Sequence, residues 1–322
     1  MRAEFCLPSC GTLCRVTVRM RRHHVTRFDP ADLVVPPGYE AHAEGFGRVA
    51  HVDGREGSVH AGFATCELGA GGHLGGHVHS YEESFYVLEG AVELTVDGRA
   101  VRLEAHDCGL VPVGVAHAWR KAGDAACRWI EMTAPQPRRP GDGPPDTFFV
   151  DLEPAAVATE LDIRDPRTRT FFRLGPGQMD VDNLKLGAPV DAPTVSASMA
   201  TALLAYSGIA VKMLVDQRLG AQLANMFMVE YQPGGVAQPH DHPLEESYYV
   251  LEGEVEFVAD GESYQLRAGD VAWAGVGCVH AFYNRAPGRV RWLETQAPLP
   301  PAAHSYRFNR DWDYLAQRTE EG

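Results

Sequence analysis

The chain has 322 residues, with 43 acidic against 29 basic side chains and a formal net charge of −14. That length allows two domains with separate apolar cores. The acidic balance opposes a phosphate backbone or an anionic membrane surface, and the sequence lacks the roughly 18 to 20 consecutive apolar residues of a membrane-spanning helix. A small-molecule partner is therefore expected, and nucleic acid and membrane are not.

In chain order, residues 1–45 read as an N-terminal extension. Cys6, Cys10 and Cys14 stand at four-residue spacing, but no partner cluster follows at zinc-finger distance and no secretory signal is present. Residues 1–19 read as a disordered tail or as a start placed too early, with Met20 the true first residue. His23 and His24, like His73 further on, have no counterpart in the repeat described next and read as surface or loop residues. Cys66, Cys108, Cys127 and Cys278 lie singly among apolar neighbours, as buried thiols do, which fits a reducing cytoplasm.

HVHSYEESFYVLEG from His77 returns as HDHPLEESYYVLEG from His240, an offset of 163 residues. The same offset carries Asp53 to Asp216, Gly71 to Gly234, Asp107 to Asp270, His117 to His280 and Ala134-Pro135 to Ala297-Pro298 without a gap. Repeats come before motifs in reading a chain, and this one marks two copies of one folding unit. Short β-rich runs (84–96, 100–103, 247–259, 263–266) broken by Asp-Gly pairs predict an all-β unit built from hairpins, a sandwich or small barrel. The expected domains are a first barrel at 46–137, a linker at 138–208, a second barrel at 209–300 and a tail at 301–322. The linker opens on a Pro/Gly-rich stretch, and its 194–206 segment (TVSASMATALLAY) predicts a short helix that packs on a barrel or covers the second one.

Side chains alternate along a strand, so His77 and His79 share a face, as do His240 and His242. Glu83 and Glu246 keep that parity, whereas Glu82 and Glu245 should point outward. His117 and His280 arrive from a later strand after a Gly-containing turn. Three imidazoles and a carboxylate make a mixed nitrogen and oxygen donor set for a divalent transition metal, and an octahedral ion would keep two open positions. One His-x-His alone is weak evidence, but here the whole set recurs at constant spacing. Phe85, Trp119, Tyr248 and Phe282 are candidate pocket walls or barrel core. The repeated Arg-Trp-x-Glu (128–131, 291–294) reads as a strand-end salt bridge in preference to a substrate-binding arginine.

These residues resemble the cupin superfamily. Gly71, His77, His79, Glu83 and Gly90 match its first motif in full, as do Gly234, His240, His242, Glu246 and Gly253. The second motif keeps Pro112, Gly114 and His117 in the first copy, with His106 in place of Gly and Lys121 in place of Asn. The second copy keeps Gly269, Gly277, His280 and Asn284, with Gly275 in place of Pro. The resemblance implies two tandem double-stranded β-helix (jelly-roll) barrels, a bicupin. It also implies metal at one or both barrels, held by His77, His79, Glu83 and His117 and by His240, His242, Glu246 and His280. Iron, manganese or nickel is expected, with zinc as an alternative. The C-terminal copy is the closer match and the expected seat of chemistry, with Glu246 or Glu83 as general base. The ligand pattern is nearest to quercetinase-type dioxygenases, which implies oxidation of a small phenolic or enol substrate. Alternatives are a decarboxylase, isomerase or ureidoglycine aminohydrolase-like C–N hydrolase, and a non-enzymatic small-molecule binder. Monomer and homo-oligomer are both compatible with the sequence.

Overall fold

A computed structural model describes residues 22–96, 98–138, 146–152, 157–163, 165, 170–179, 208–299 and 307–308. The expected N-terminal tail and the 194–206 segment lie outside these residues. Among the described residues no helix is long and apolar enough to cross a membrane, and the one helical element is a 3-10 turn at Pro30–Asp32.

Twelve strands precede the linker's second half: β1 (His23–Arg27), β2 (Ala43–Val52), β3 (Gly62–His79), β4 (Glu82–Glu89), β5 (Ala91–Val96), β6 (Arg99–Glu104), β7 (Asp107–Val111), β8 (His117–Ala122), β9 (Cys127–Ala134), β10 (Thr147–Phe149), β11 (Thr159–Glu160) and β12 (Phe171–Arg173). Ten follow: β13 (Ile209–Val215), β14 (Asn225–Tyr231), β15 (Val236–Asp241), β16 (Glu245–Glu252), β17 (Glu254–Ala259), β18 (Glu262–Arg267), β19 (Asp270–Ala274), β20 (His280–Tyr283), β21 (Val290–Ala297) and β22 (Arg307–Phe308).

The second barrel is a six-stranded sheet, ordered β1-β19-β16-β21-β14-β13, facing a five-stranded sheet, β18-β17-β20-β15-β22. The first barrel repeats this plan, except that β3 runs unbroken through both faces. Its first half pairs with β9 and its second half with β8, which joins all the strands into one sheet. Gly71 (φ +70) lies where β3 changes partner, and Gly234 (φ +78) lies at the matching break between β14 and β15. Asp260 (φ +48) and Gly261 (φ +88) turn the β17–β18 hairpin in the left-handed region that its two-residue connection requires. At Gly90 a Cβ would collide with the Ala126 carbonyl, so the glycine closing the His-rich motif makes room for a passing backbone.

Two edge strands are exchanged. β1, from the expected N-terminal extension, pairs antiparallel with β19 of the second barrel, and β12, from the linker, pairs with β7 of the first. Each exchange ends on the same ion pair, Arg27 with Asp270 (2.7 Å) and Arg173 with Asp107 (2.5 Å). His23 and His24 therefore lie on a strand, and His23 is buried at 8% exposure. The expectation of surface or loop residues fails for His23 because the pairing partner is some 250 residues away. His73 is exposed on β3.

Three apolar clusters result. One fills the first barrel around Leu68, Leu94, Trp119 and Trp129, and one fills the second around Phe257, Phe282 and Trp292. The third takes Phe63, Ile130 and Met132 from the first copy and Met226, Met228 and Leu293 from the second, joining the barrels through a shared core.

Candidate metal centres

β3 delivers His77 and His79 to the first barrel's interior, β4 delivers Glu83 and the start of β8 delivers His117. All four are at most 3% exposed. Glu83 Oε2 lies 3.2 Å from His79 Nε2 and 3.3 Å from His117 Nε2. In the second barrel His240 and His242 come from the end of β15 and the residue after it, Glu246 from β16 and His280 from β20. Glu246 Oε2 lies 2.9 Å from His242 Nε2 and 3.3 Å from His280 Nε2. The facing strands pair His77 with His117 and His240 with His280, bringing those rings to 4.0 and 4.3 Å between centroids. Ligand atoms of His77, Glu83 and His117 form one group within 4.8 Å, and those of His240, His242 and His280 form another.

Imidazole orientation tests the fit to a metal. Nδ1 of His77 meets Gly75 O at 2.8 Å, His79 meets Tyr81 O at 2.6 Å and His117 meets Val115 O at 3.0 Å. His240, His242 and His280 repeat this with Gln238 O (2.7 Å), Leu244 O (2.9 Å) and Cys278 O (3.0 Å). A carbonyl only accepts, so each Nδ1 donates to it, and Nε2 is the nitrogen turned toward the carboxylate and offered to a metal. All six rings are thereby fixed in the orientation that ligates through Nε2. Burial, aided by the neighbouring imidazole, drives the pKa of His77 and of His240 down to about 3, so both stay neutral. Burial works against the charge of Glu83 and Glu246, but the adjacent imidazoles prevail and hold both carboxyls below the usual range. The pKa of His242 is raised instead, because the burial that opposes its charge is outweighed by Glu246 at 2.9 Å, and a divalent cation would take the place of that proton.

Around those sets the two barrels diverge. Tyr248 donates its hydroxyl to Glu246 Oε2 at 2.5 Å and lies 3.2 Å from His280 Nε2, while Gln296 Nε2 donates to Glu246 Oε1 at 2.6 Å. Burial, then the charge of Glu246, keeps the Tyr248 phenol protonated. Glu294 stands beside Glu246, accepts from Trp292 Nε1 at 2.9 Å and is pushed well above the usual range by burial and by that neighbouring charge. The first barrel has Phe85, Thr133 and Glu131 at the equivalent positions. Its Glu131 is neutralised by Arg48, at 2.6 Å, for which the second barrel has Val211. Of the four aromatic candidates, Phe85, Trp119 and Phe282 are buried core, and Tyr248 alone places a polar atom on a candidate ligand.

The first barrel has its own surroundings. β10 pairs with the end of β3 and sets Phe149 opposite His77, with its ring 5.9 Å from that imidazole and stacked on His42 at 3.9 Å. Tyr81 stacks on His79 at 4.0 Å. His42, Tyr81 and Phe149 carry no repeat signal, so sequence reasoning passed over them.

Glu82 and Glu245 point away from their barrels, as parity requires, but not to solvent, with exposures of 4% and 2%. Glu82 accepts from the backbone N–H groups of Gln222 and Leu223, at 2.8 and 2.9 Å. Glu245 accepts from Val59 N (2.9 Å), His60 N (3.2 Å) and Ser58 Oγ (2.5 Å). Each glutamate next to a candidate ligand thus grips the matching loop of the other barrel.

The motif departures have local causes. His106 stands at φ +77, where the other copy has Gly269, and its Nδ1 lies 2.8 Å from the Tyr86 hydroxyl. Lys121 Nζ bonds the turn carbonyls of Ala122 and Gly123, whereas Asn284 Nδ2 bonds Tyr231, Gln232 and Gly288. Gly275 replaces Pro because its N–H donates to Arg22 O at 2.7 Å, a bond proline cannot make. Arg128 pairs with Glu67 and Glu89, and Arg291 with Glu230, as structural salt bridges between strands. A polar cleft of 440 Å³ lined by Arg27, Arg48, His51 and Arg55 opens on the outside, between β1 and β2.

A family model described as a cupin domain matches residues 64–133 and again 227–295. A protein named polyketide synthase CurC from Streptomyces cyaneus is 33% identical over 92 residues, 28% of this chain and 56% of its own length. The chain thus spans little more than half of that relative. Among solved structures, the formate complex of oxalate decarboxylase from Lactobacillus farciminis is similar with a TM-score of 0.57, at 18% identity over 92% of both chains. Salicylate 1,2-dioxygenase from Pseudoaminobacter salicylatoxidans with gentisate gives 0.59, at 16% identity over 85% of this chain and 81% of that one. At these identities the likeness is one of fold.

Proposed function

The chain is a bicupin of the cupin superfamily, and on that premise we propose that it is a metal-dependent dioxygenase acting on a small phenolic or enol substrate. The barrels are proposed to span 46–137 and 209–300, with β1 and β12 as exchanged edges. His240, His242, Glu246 and His280 are proposed to hold the chemically active divalent metal, iron, manganese or nickel, and His77, His79, Glu83 and His117 a second one. The observation that carries this reading is the set of six imidazoles held with Nε2 inward, combined with a second barrel that alone adds Tyr248 and Gln296 to its carboxylate.

When bound, a redox-capable metal would supply Lewis acidity and a relay for the electrons that pass from the substrate to dioxygen. The protein's own groups do the remaining work. The backbone carbonyls fix the imidazoles so that no ring turns during turnover. Glu246 takes the hydroxyl proton of the substrate at a carboxylate oxygen, and the Tyr248 and Gln296 donors hold that carboxylate in place. Burial of all four residues keeps bulk water from the reacting atoms. The salicylate dioxygenase resemblance supports an aromatic substrate, and the oxalate decarboxylase resemblance defines the main competitor.

Elemental analysis of protein purified without added metal, followed by oxygen uptake against phenols, enols and oxalate, tests the proposal. Substrate-dependent oxygen consumption is expected. Turnover under strict anaerobiosis would sink it and move the protein to the non-oxidative decarboxylases, isomerases or C–N hydrolases.

A further inference from the structure

We propose that His23, Asp260 and Cys278 form a third metal site, separate from both imidazole clusters, that takes a thiophilic divalent cation such as Zn²⁺. One ligand atom from each lies within 4.8 Å of the others. They come from three segments: His23 from the exchanged strand β1, Asp260 from the β17–β18 turn and Cys278 from the loop leading into β20. Thiolate, imidazole and carboxylate together are zinc chemistry, unlike the His and Glu sets of the barrels.

A second observation points to a ligand. His23 is 8% exposed, and its Nε2 is engaged by the Tyr264 hydroxyl at 2.9 Å, with Glu262 Oε2 at 3.7 Å. Its Nδ1 is buried without a hydrogen-bond partner among the described residues. An orphaned buried imidazole nitrogen is costly, and a cation removes that cost. Cys278 is fully buried, and among the described residues the one hydrogen-bond contact of its sulfur is a long 3.9 Å approach to Val279 O. Asp260 is held in place by Arg22 at 2.8 and 3.0 Å and by Val279 N at 3.2 Å; Oδ1 accepts two of these bonds and Oδ2 one, which leaves Oδ2 a further lone pair. In the repeat the counterpart of Cys278 is Val115, so the site is peculiar to the second barrel. A cation there would tie β1 to its acceptor barrel and brace the loop that ends at His280.

Cobalt separates this site from the others, because only a thiolate ligand gives sulfur-to-cobalt charge transfer in the near ultraviolet. Full-length protein carrying Cys6→Ser, Cys10→Ser and Cys14→Ser, stripped by chelator and titrated with Co²⁺, should develop that band, and Zn²⁺ should displace it. Cys278→Ser should abolish the band and lower the metal capacity by one equivalent per chain. His23→Gln, a change on a different strand, should lower capacity equally, so the assignment stands even if Cys278→Ser folds poorly. Absence of the band at saturation, its survival in Cys278→Ser, or unchanged capacity in His23→Gln would overturn the site. Both barrel clusters lack sulfur, so none of these outcomes depends on the proposed oxygenase reading.

Discussion

At the scale of single residues, the two ligand sets are near copies and their surroundings are not. Tyr248 and Gln296 hold Glu246 through two donors, where the first barrel offers Phe85 and Thr133. A hydrogen bond to a charged group is worth about 1.5 to 3 kcal/mol, so Tyr248→Phe should lower kcat by roughly 10- to 100-fold. Metal content should stay unchanged, because no ligand is removed, and steady-state kinetics with elemental analysis read both quantities. His242→Ala should instead lose about one metal equivalent per chain, and unchanged content would remove His242 from the ligand set. Remote from both centres, burial lowers the His51 pKa to about 4, with Arg48 and His24 adding to the shift. Below the ordinary value of 6.5 the unfolded chain takes up a proton that the folded His51 refuses. Stability is therefore lost as the pH falls from about 6.5 towards about 4, by on the order of 3 kcal/mol in total. His51→Gln should flatten this part of a plot of melting temperature against pH.

At the scale of elements, exchanged strands and crossing loops put the same interaction into different environments. Asp107 and Asp270 both accept a backbone N–H, from Glu104 at 2.8 Å and Arg267 at 2.7 Å, and both pair with the arginine of a borrowed strand. Asp107 is wholly buried, whereas the side chain of Asp270 is 15% exposed and its arginine 62%. Removing a buried carboxylate strands its donors without water, while an exposed pair contributes little. Asp107→Ala should therefore cost about 3 kcal/mol in chemical denaturation and Asp270→Ala about 1 kcal/mol. Equal losses would show that burial is not what separates them. The hairpins themselves were legible early, because Asp-Gly pairs and alternating apolar positions act over a few residues. The borrowed strands were not, since nothing local in HHVTR or FFR names a partner so far away in the chain.

At the scale of the whole molecule, the barrels are joined by a shared apolar core and by two reciprocal glutamates. Glu245→Ala would leave Ser58 Oγ, Val59 N and His60 N facing a buried gap, at a cost of about 3 kcal/mol. The lower melting temperature should still appear as a single transition, because the apolar contact remains. Two separated transitions in calorimetry would mean that the glutamates, and not the shared core, couple the barrels. Sequence by itself determined the duplication, the all-β class and the eight residues that the barrels bring into two clusters. The duplication follows from the constant offset, the class from the hairpin signals, and the paired histidines and glutamates from strand alternation, while the repeat singles out His117 and His280 on their later strands. Only the tertiary structure decided that Glu82 and Glu245 are buried between barrels, that His23 joins a foreign sheet, and that Tyr248 rather than Phe282 reaches a candidate ligand. Parity tells which way a side chain points from its own strand. What waits on that side, solvent or another barrel, is fixed by packing between segments far apart in the chain.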